Sequence, residues 1–130
     1  MRGEEKMTVN ECYEIAVSFL PEEPADNVEM QKFAVPWCNM LLAETFEQEN
    51  VYRRTKGLAE IAAVPKVSAK TDEIPYNENM VRAAFPYGMA RWIFRENDDV
   101  SGSHEYYNLY AAAVSASVPL LTAEVEDVYR

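Results

Sequence analysis

Few residues in this chain have a type and spacing that could do chemistry. His104 is the single histidine, just inside a helix start, with no Cys or Ser partner in a recognisable motif. It reads as a surface residue. The carboxylate pairs Glu22/Glu23, Asp72/Glu73 and Asp98/Asp99 are adjacent in sequence, and neighbours do not face each other on a helix or strand. They make poor acid/base pairs. The corner Asn97-Asp98-Asp99-Val100-Ser101-Gly102 imitates the start of a calcium loop. With Gly102 at the loop's glycine, however, the twelfth position is Asn108 instead of a bidentate glutamate. A solvated turn accounts for the same residues. Cys12 and Cys38 have no metal-like spacing and read as buried free thiols of a reducing compartment. There is no phosphate-binding loop and no dinucleotide glycine motif. The sequence therefore predicts no catalytic residue, metal or cofactor.

Two groups of side chains suit recognition. Arg53, Arg54 and Lys56 form the only basic cluster, beside Gly57. They read either as the solvated end of a helix or as a patch for an acidic partner or a DNA backbone. Ala84, Gly88, Arg91 and Arg95 stack on one helical face at spacings of four, three and four. That strip reads as the solvated edge of a core helix or, more sharply, as a subunit contact along Gly88–Arg95.

The elements that carry these residues are helical. Residues 80–116 read as two helices joined by the polar corner. The first is apolar nearly all round and so buried on several sides, with Trp92 and Phe94 in the core. Pro86 either starts a helix there or kinks one begun near Asn79. Tyr110 and Trp37 are expected to pack with Trp92. Thr8-Val9-Asn10-Glu11 is a capping box for a helix to about Leu20, and Asp26-Asn27-Val28-Glu29 resembles a second. A long helix follows to about Asn50, kinked at Pro36. Residues 58–79 look extended around Pro65 and Pro75, with room for a short strand or two. Pro119 stops the last helix. In the tail beyond it, Val125, Val128 and Tyr129 have helical spacing, whereas Leu121, Val125 and Tyr129 also share one side of a strand. The tail is a candidate for folding on a partner.

The fold class expected is mainly α: a compact bundle of four to five helices, with a short extended segment between the second and third long ones. At 130 residues, 1–130 reads as a single domain, with 1–7 a disordered N-terminus and 118–130 a C-terminal tail. Twelve Lys and Arg against 22 Asp and Glu give a net charge of −10. That balance argues against nucleic-acid or anionic-lipid binding as the main task. No signal peptide is read at Met1–Lys6, and no apolar run approaches the ~18 residues of a membrane span.

Three segments in order carry a resemblance: Asp72-Glu73-Ile74-Pro75-Tyr76, then Ala84-Phe85-Pro86-Tyr87-Gly88-Met89-Ala90, then an acidic corner before Tyr106-Tyr107-Asn108-Leu109-Tyr110. This order resembles the head–tail adaptors (head-completion or neck proteins) of tailed bacteriophages and prophages. The likeness covers residues 70–114 best, through loose patterns of small, aromatic and acidic residues. It implies a non-enzymatic virion protein that assembles as a ring below the portal vertex and links the DNA-filled head to the tail. Its partners would be copies of itself, the portal protein and the next neck or tail protein. It would reside in the virion, and in the host cytoplasm before assembly. The candidate interface residues are Arg53, Arg54, Lys56, Gly88, Arg91, Arg95, Leu121, Val125, Val128 and Tyr129. The competing reading is a non-enzymatic helical protein-binding or regulatory module of a bacterial cell. An enzyme with a helix-lined pocket is a third, weaker one.

Overall fold

The computed structural model describes residues 6–118 of the chain. The tail positions Leu121, Val125, Val128 and Tyr129 lie outside the described residues, as does most of the expected N-terminal disorder. The helices are α1 (Val9–Ser18), α2 (Asn27–Met30), a 3-10 turn (Gln31–Phe33), α3 (Ala34–Glu44), α4 (Phe46–Thr55), α5 (Glu78–Glu96) and α6 (Val100–Ser117). The chain is a mainly α bundle, as its sequence predicts. No strand forms among the described residues, and the extended segment contributes one antiparallel bridge, Thr8 to Glu73. No helix among them is long and apolar enough to cross a membrane.

The first capping box forms. The Glu11 amide donates to Thr8 Oγ1 at 3.1 Å, and the Thr8 amide donates to Glu11 Oε1 at 2.9 Å. Val9, Cys12, Tyr13 and Ala16 then fall on one buried face at spacings of three, one and three. The second box does not form. Asp26 has ψ 28°, outside cap geometry, and makes no side-chain cap bond. Asn27 is instead tied sideways: Tyr13 Oη donates to its Oδ1 at 2.6 Å, and its Nδ2 donates to Glu23 Oε2 at 3.0 Å.

The long helix expected over 27–50 is broken twice, each time for a local reason. Pro36 has no amide to give the carbonyl four residues earlier and its ring crowds that turn, so the preceding residues tighten into a 3-10 turn. Thr45, 1% exposed, turns its hydroxyl back onto the Leu41 carbonyl at 2.8 Å. This competes with the helical ladder and leaves Thr45 at φ −113°, ψ 16°, between α3 and α4.

The break aims Glu49 into the interior, where it is 1% exposed. Its Oε1 accepts from the Asn77 amide at 2.8 Å and from Asn77 Nδ2 at 2.9 Å. Its Oε2 accepts from Arg53 Nε at 2.8 Å. Asn77 in turn caps α5 by accepting from the Met80 amide at 3.0 Å. A buried carboxylate thus sits at the positive end of α5, where the helix dipole favours it.

Between Gly57 (φ +75°) and Asn77 the chain is extended and pinned by asparagines. Asn50 exchanges two hydrogen bonds with Ile61, and Asn39 exchanges two with Val67. Val67, Ile74 and Tyr76 enter the core, and Tyr76 Oη donates to the Leu42 carbonyl at 2.6 Å. Met7, expected within a disordered N-terminus, is ordered and 2% exposed. Met7 pairs with this segment: its carbonyl accepts from the Ile74 amide at 2.9 Å, and its amide donates to Glu78 Oε2 at 3.0 Å.

Eleven of the nineteen α5 residues are buried, including Pro86, through which the helix runs unbroken from its cap at Asn77. α6 folds back along it after Asp98, whose φ of 60° makes the tight corner. The Asp99 carboxylate caps α6 by accepting from the Gly102 amide at 2.8 Å. Glu49→Ala should destabilise the protein by about 2 kcal/mol, since it strands the half-buried Asn77 and Arg53 donors. Urea unfolding with an unchanged m-value measures this.

Candidate functional site

The strip expected to be an open edge of α5 is the closed one. Gly88 is buried and Arg91 is 9% exposed; of the strip's later members, only Arg95 faces solvent. The reason is the missing side chain at residue 88. A Cβ there would stand 2.5 Å from Leu41 Cδ2 and 3.0 Å from the Tyr110 ring, so α3 and α6 close over α5 at this point. Arg91 is one turn further on and is enclosed with it.

Arg91 gains partners from three helices. Its Nη2 donates to Glu44 Oε1 of α3 at 2.6 Å, and its Nε donates to the Gly88 carbonyl at 3.2 Å. Tyr110 Oη of α6 donates to the same Glu44 oxygen at 2.8 Å. The guanidinium carbon lies 4.0 Å from the Trp92 ring centroid, 4.8 Å from Tyr110 and 5.3 Å from Tyr107. Such packing of a cation on ring faces is favourable, and more so when desolvated. Trp37 stacks on Trp92, ring centroids 5.9 Å apart.

The outer part of this cluster is open. Tyr107 is 48% exposed, and Trp92 is half-buried. Trp92 was expected in the core; Phe94, Tyr110 and Trp37 are buried, but the indole spans core and surface. Trp, Tyr and Arg held rigid on helices are the residue types that dominate protein–protein binding energy. The arrangement suits recognition by stacking and apolar contact.

The basic cluster has a different fate. Arg53 is bound to Glu49, and its Nη1 donates to the Ala59 carbonyl at 3.2 Å. Arg54 pairs with Glu60 at 3.1 Å. Lys56 lies 6.0 Å from the Tyr52 ring. Both arginines therefore spend their charge inside the chain. His104 is exposed, and Cys12 and Cys38 are buried free thiols. Burial pushes the Cys38 thiol up to about 12; burial and then Cys38 nearby push the Cys12 thiol well above its ordinary value. Neither is a nucleophile near neutral pH.

Glu44, Met40 and Tyr107 were not singled out from sequence. Trp37, Met40 and Glu44 share a helical face at spacings of three and four, which was the available signal. Nothing local links Glu44 to Arg91, 47 residues away. Comparison with family models, with curated proteins and with solved structures finds no match to this chain.

Tyrosine ionisation offers a test of the buried cluster. Burial first, and then the Glu44 carboxylate, raise the Tyr110 pKa well above its ordinary value; burial also raises Tyr76, and lifts Tyr13 to about 12. A raised folded-state pKa stabilises the fold below the unfolded value of about 10, and that stability is lost as pH rises above it. Tyr110→Phe should cost about 1 kcal/mol at pH 7 and flatten the loss of stability above pH 10. Denaturant midpoints measured from pH 7 to 11 on both proteins check this.

Proposed function

We propose that this chain is a non-enzymatic adaptor of protein assemblies, and specifically a head–tail adaptor of a tailed bacteriophage or prophage. In this reading, copies form a ring below the portal vertex that bridges the portal protein and the next neck or tail protein. The observation that carries the protein-contact role is the half-open pair of Trp92 and Tyr107 packed on Arg91. It presents large, rigid, amphipathic side chains at low entropic cost. The phage assignment is supported by the order of segments at 72–76, 84–90 and 106–110. A net charge of −10 suits a channel through which DNA slides without sticking. The same cluster would also serve a cellular protein-binding module; ring formation with a portal separates the two.

The purified protein should join portal assemblies from its own genome and appear in electron micrographs as a ring of protein on their tail-facing end. Tyr107→Glu, at an exposed position, should keep the melting temperature within a few degrees while weakening incorporation at least about tenfold, a loss of ~1.4 kcal/mol. A protein that never associates with portal assemblies would overturn the phage reading. Unchanged incorporation of Tyr107→Glu would remove this cluster from the interface.

A further inference from the structure

The Arg91 guanidinium has donors left over. Its Nε gives a proton to the Gly88 carbonyl and its Nη2 gives one to Glu44. Its Nη1 makes no hydrogen bond among the described residues, although Arg91 is only 9% exposed. Nη1 is not one of the fully enclosed atoms that lack a partner, so it reaches solvent. The pairing with Glu44 is thus one-pronged, and the planar fork can still receive a further acceptor. Arg95 stands one turn further along the same helical face. It is exposed and has no acidic partner among the described residues, whereas Arg53, Arg54, Arg82 and Arg91 each hold a carboxylate. On a helix of 3.6 residues per turn, Arg95 lies about 40° round from Arg91, and the neighbouring acid Glu96 about 140°. Two cations against Glu44 leave a positive balance on the Arg91 side of Trp92, in a chain whose net charge is −10.

We propose that the half-open site at Trp92 and Tyr107 receives an acidic segment of a partner protein. An Asp or Glu carboxylate is taken by Arg91 Nη1 and Arg95, and an apolar neighbour of that acid lies on the exposed Tyr107 ring. This rests on the protein-contact reading of the cluster and names the chemistry of what it contacts. Charge selects the occupant. A basic segment would meet Arg91 and Arg95 head on. A purely apolar one would cover Nη1 without giving it an acceptor, which is costly. The Arg91 side chain is already fixed by Glu44, Gly88 and three aromatic rings, so little freedom is lost when the acid arrives. The overall negative charge of the chain does not forbid such a partner, because at physiological salt fields beyond about 8 Å are screened.

Blocked tripeptides test this on the full-length protein: acetyl-Leu-Glu-Leu-amide and its glutamine counterpart, titrated at millimolar concentration and followed by nitrogen–proton NMR. The glutamate peptide should shift the Trp92 indole N–H and the Arg91 Nε–H. It should bind at least about fivefold more tightly than the glutamine peptide, since hydrogen bonds to an ionised acceptor are the stronger. Added salt should narrow that difference. Arg95→Gln, at an exposed position, should keep the melting temperature and remove most of the preference, and Arg95→Lys should keep much of it. Equal binding of the two peptides, or no shift with either, would overturn the proposal. So would tighter binding of the lysine counterpart. Portal association distinguishes this failure from that of the adaptor reading. If Tyr107→Glu weakens association and Arg95→Gln does not, the protein contact stands and the carboxylate falls. If the glutamate peptide is preferred by a protein that never joins portal assemblies, the carboxylate stands and the phage reading falls.

Discussion

The absence of one methyl group at residue 88 sets most of this structure. With no Cβ there, the Leu41 side chain and the Tyr110 ring rest against the backbone of α5. Interiors are packed like crystals, so the helix spacing cannot relax freely around an added atom. The consequences run outward in order. Tyr110, held against α5, reaches Glu44 on α3. Glu44, fixed between two donors, neutralises Arg91. Arg91, held flat, supports the Trp92 and Tyr107 faces that reach solvent. A backbone approach in the core is thereby converted into a defined aromatic surface.

Glu44 and Glu49 show two ways of handling charge in one small fold. Glu49 is almost fully buried, and its three donors come from Arg53 and from both nitrogens of Asn77. It joins α4 to the start of α5. The Glu44 side chain is 39% exposed, opposite an Arg91 side chain that is 10% exposed, so water screens one partner of that pair. A pair of that kind contributes orientation more than stability. Glu49 accordingly belongs to the fold and Glu44 to the site, although both are glutamates near a helix end.

Local chemistry was readable wherever its partners were close in sequence. The Thr8–Glu11 box, the turn at Asn97–Gly102 and the all-round apolar character of α5 follow from spacing alone. Asp26 does not cap because its backbone, at ψ 28°, lies outside cap geometry, which residue types alone do not reveal. Thr45 broke the long helix through a back-bond that any helical threonine can make but few use so completely. The α5 strip was misread for a different reason. Two arginines on one face look like a solvated edge, and only α6, returning after the corner, decides that Arg91 is covered and Arg95 is not. The same holds for Arg53, whose partner Glu49 is a turn away but is buried by residues 28 positions further on.

The most direct test of the dependence on Gly88 is a double-mutant cycle with Gly88→Ala and Tyr110→Ala, read by equilibrium unfolding. An added methyl has to displace the Tyr110 ring in the native protein but not in a protein that lacks it. The account predicts a Gly88→Ala cost at least about 1 kcal/mol smaller in the Tyr110→Ala background, a clear coupling between touching residues. Effects that add to within about 0.5 kcal/mol would show that the two residues do not constrain each other, and the chain of dependence from Gly88 to the Arg91 cluster would fail.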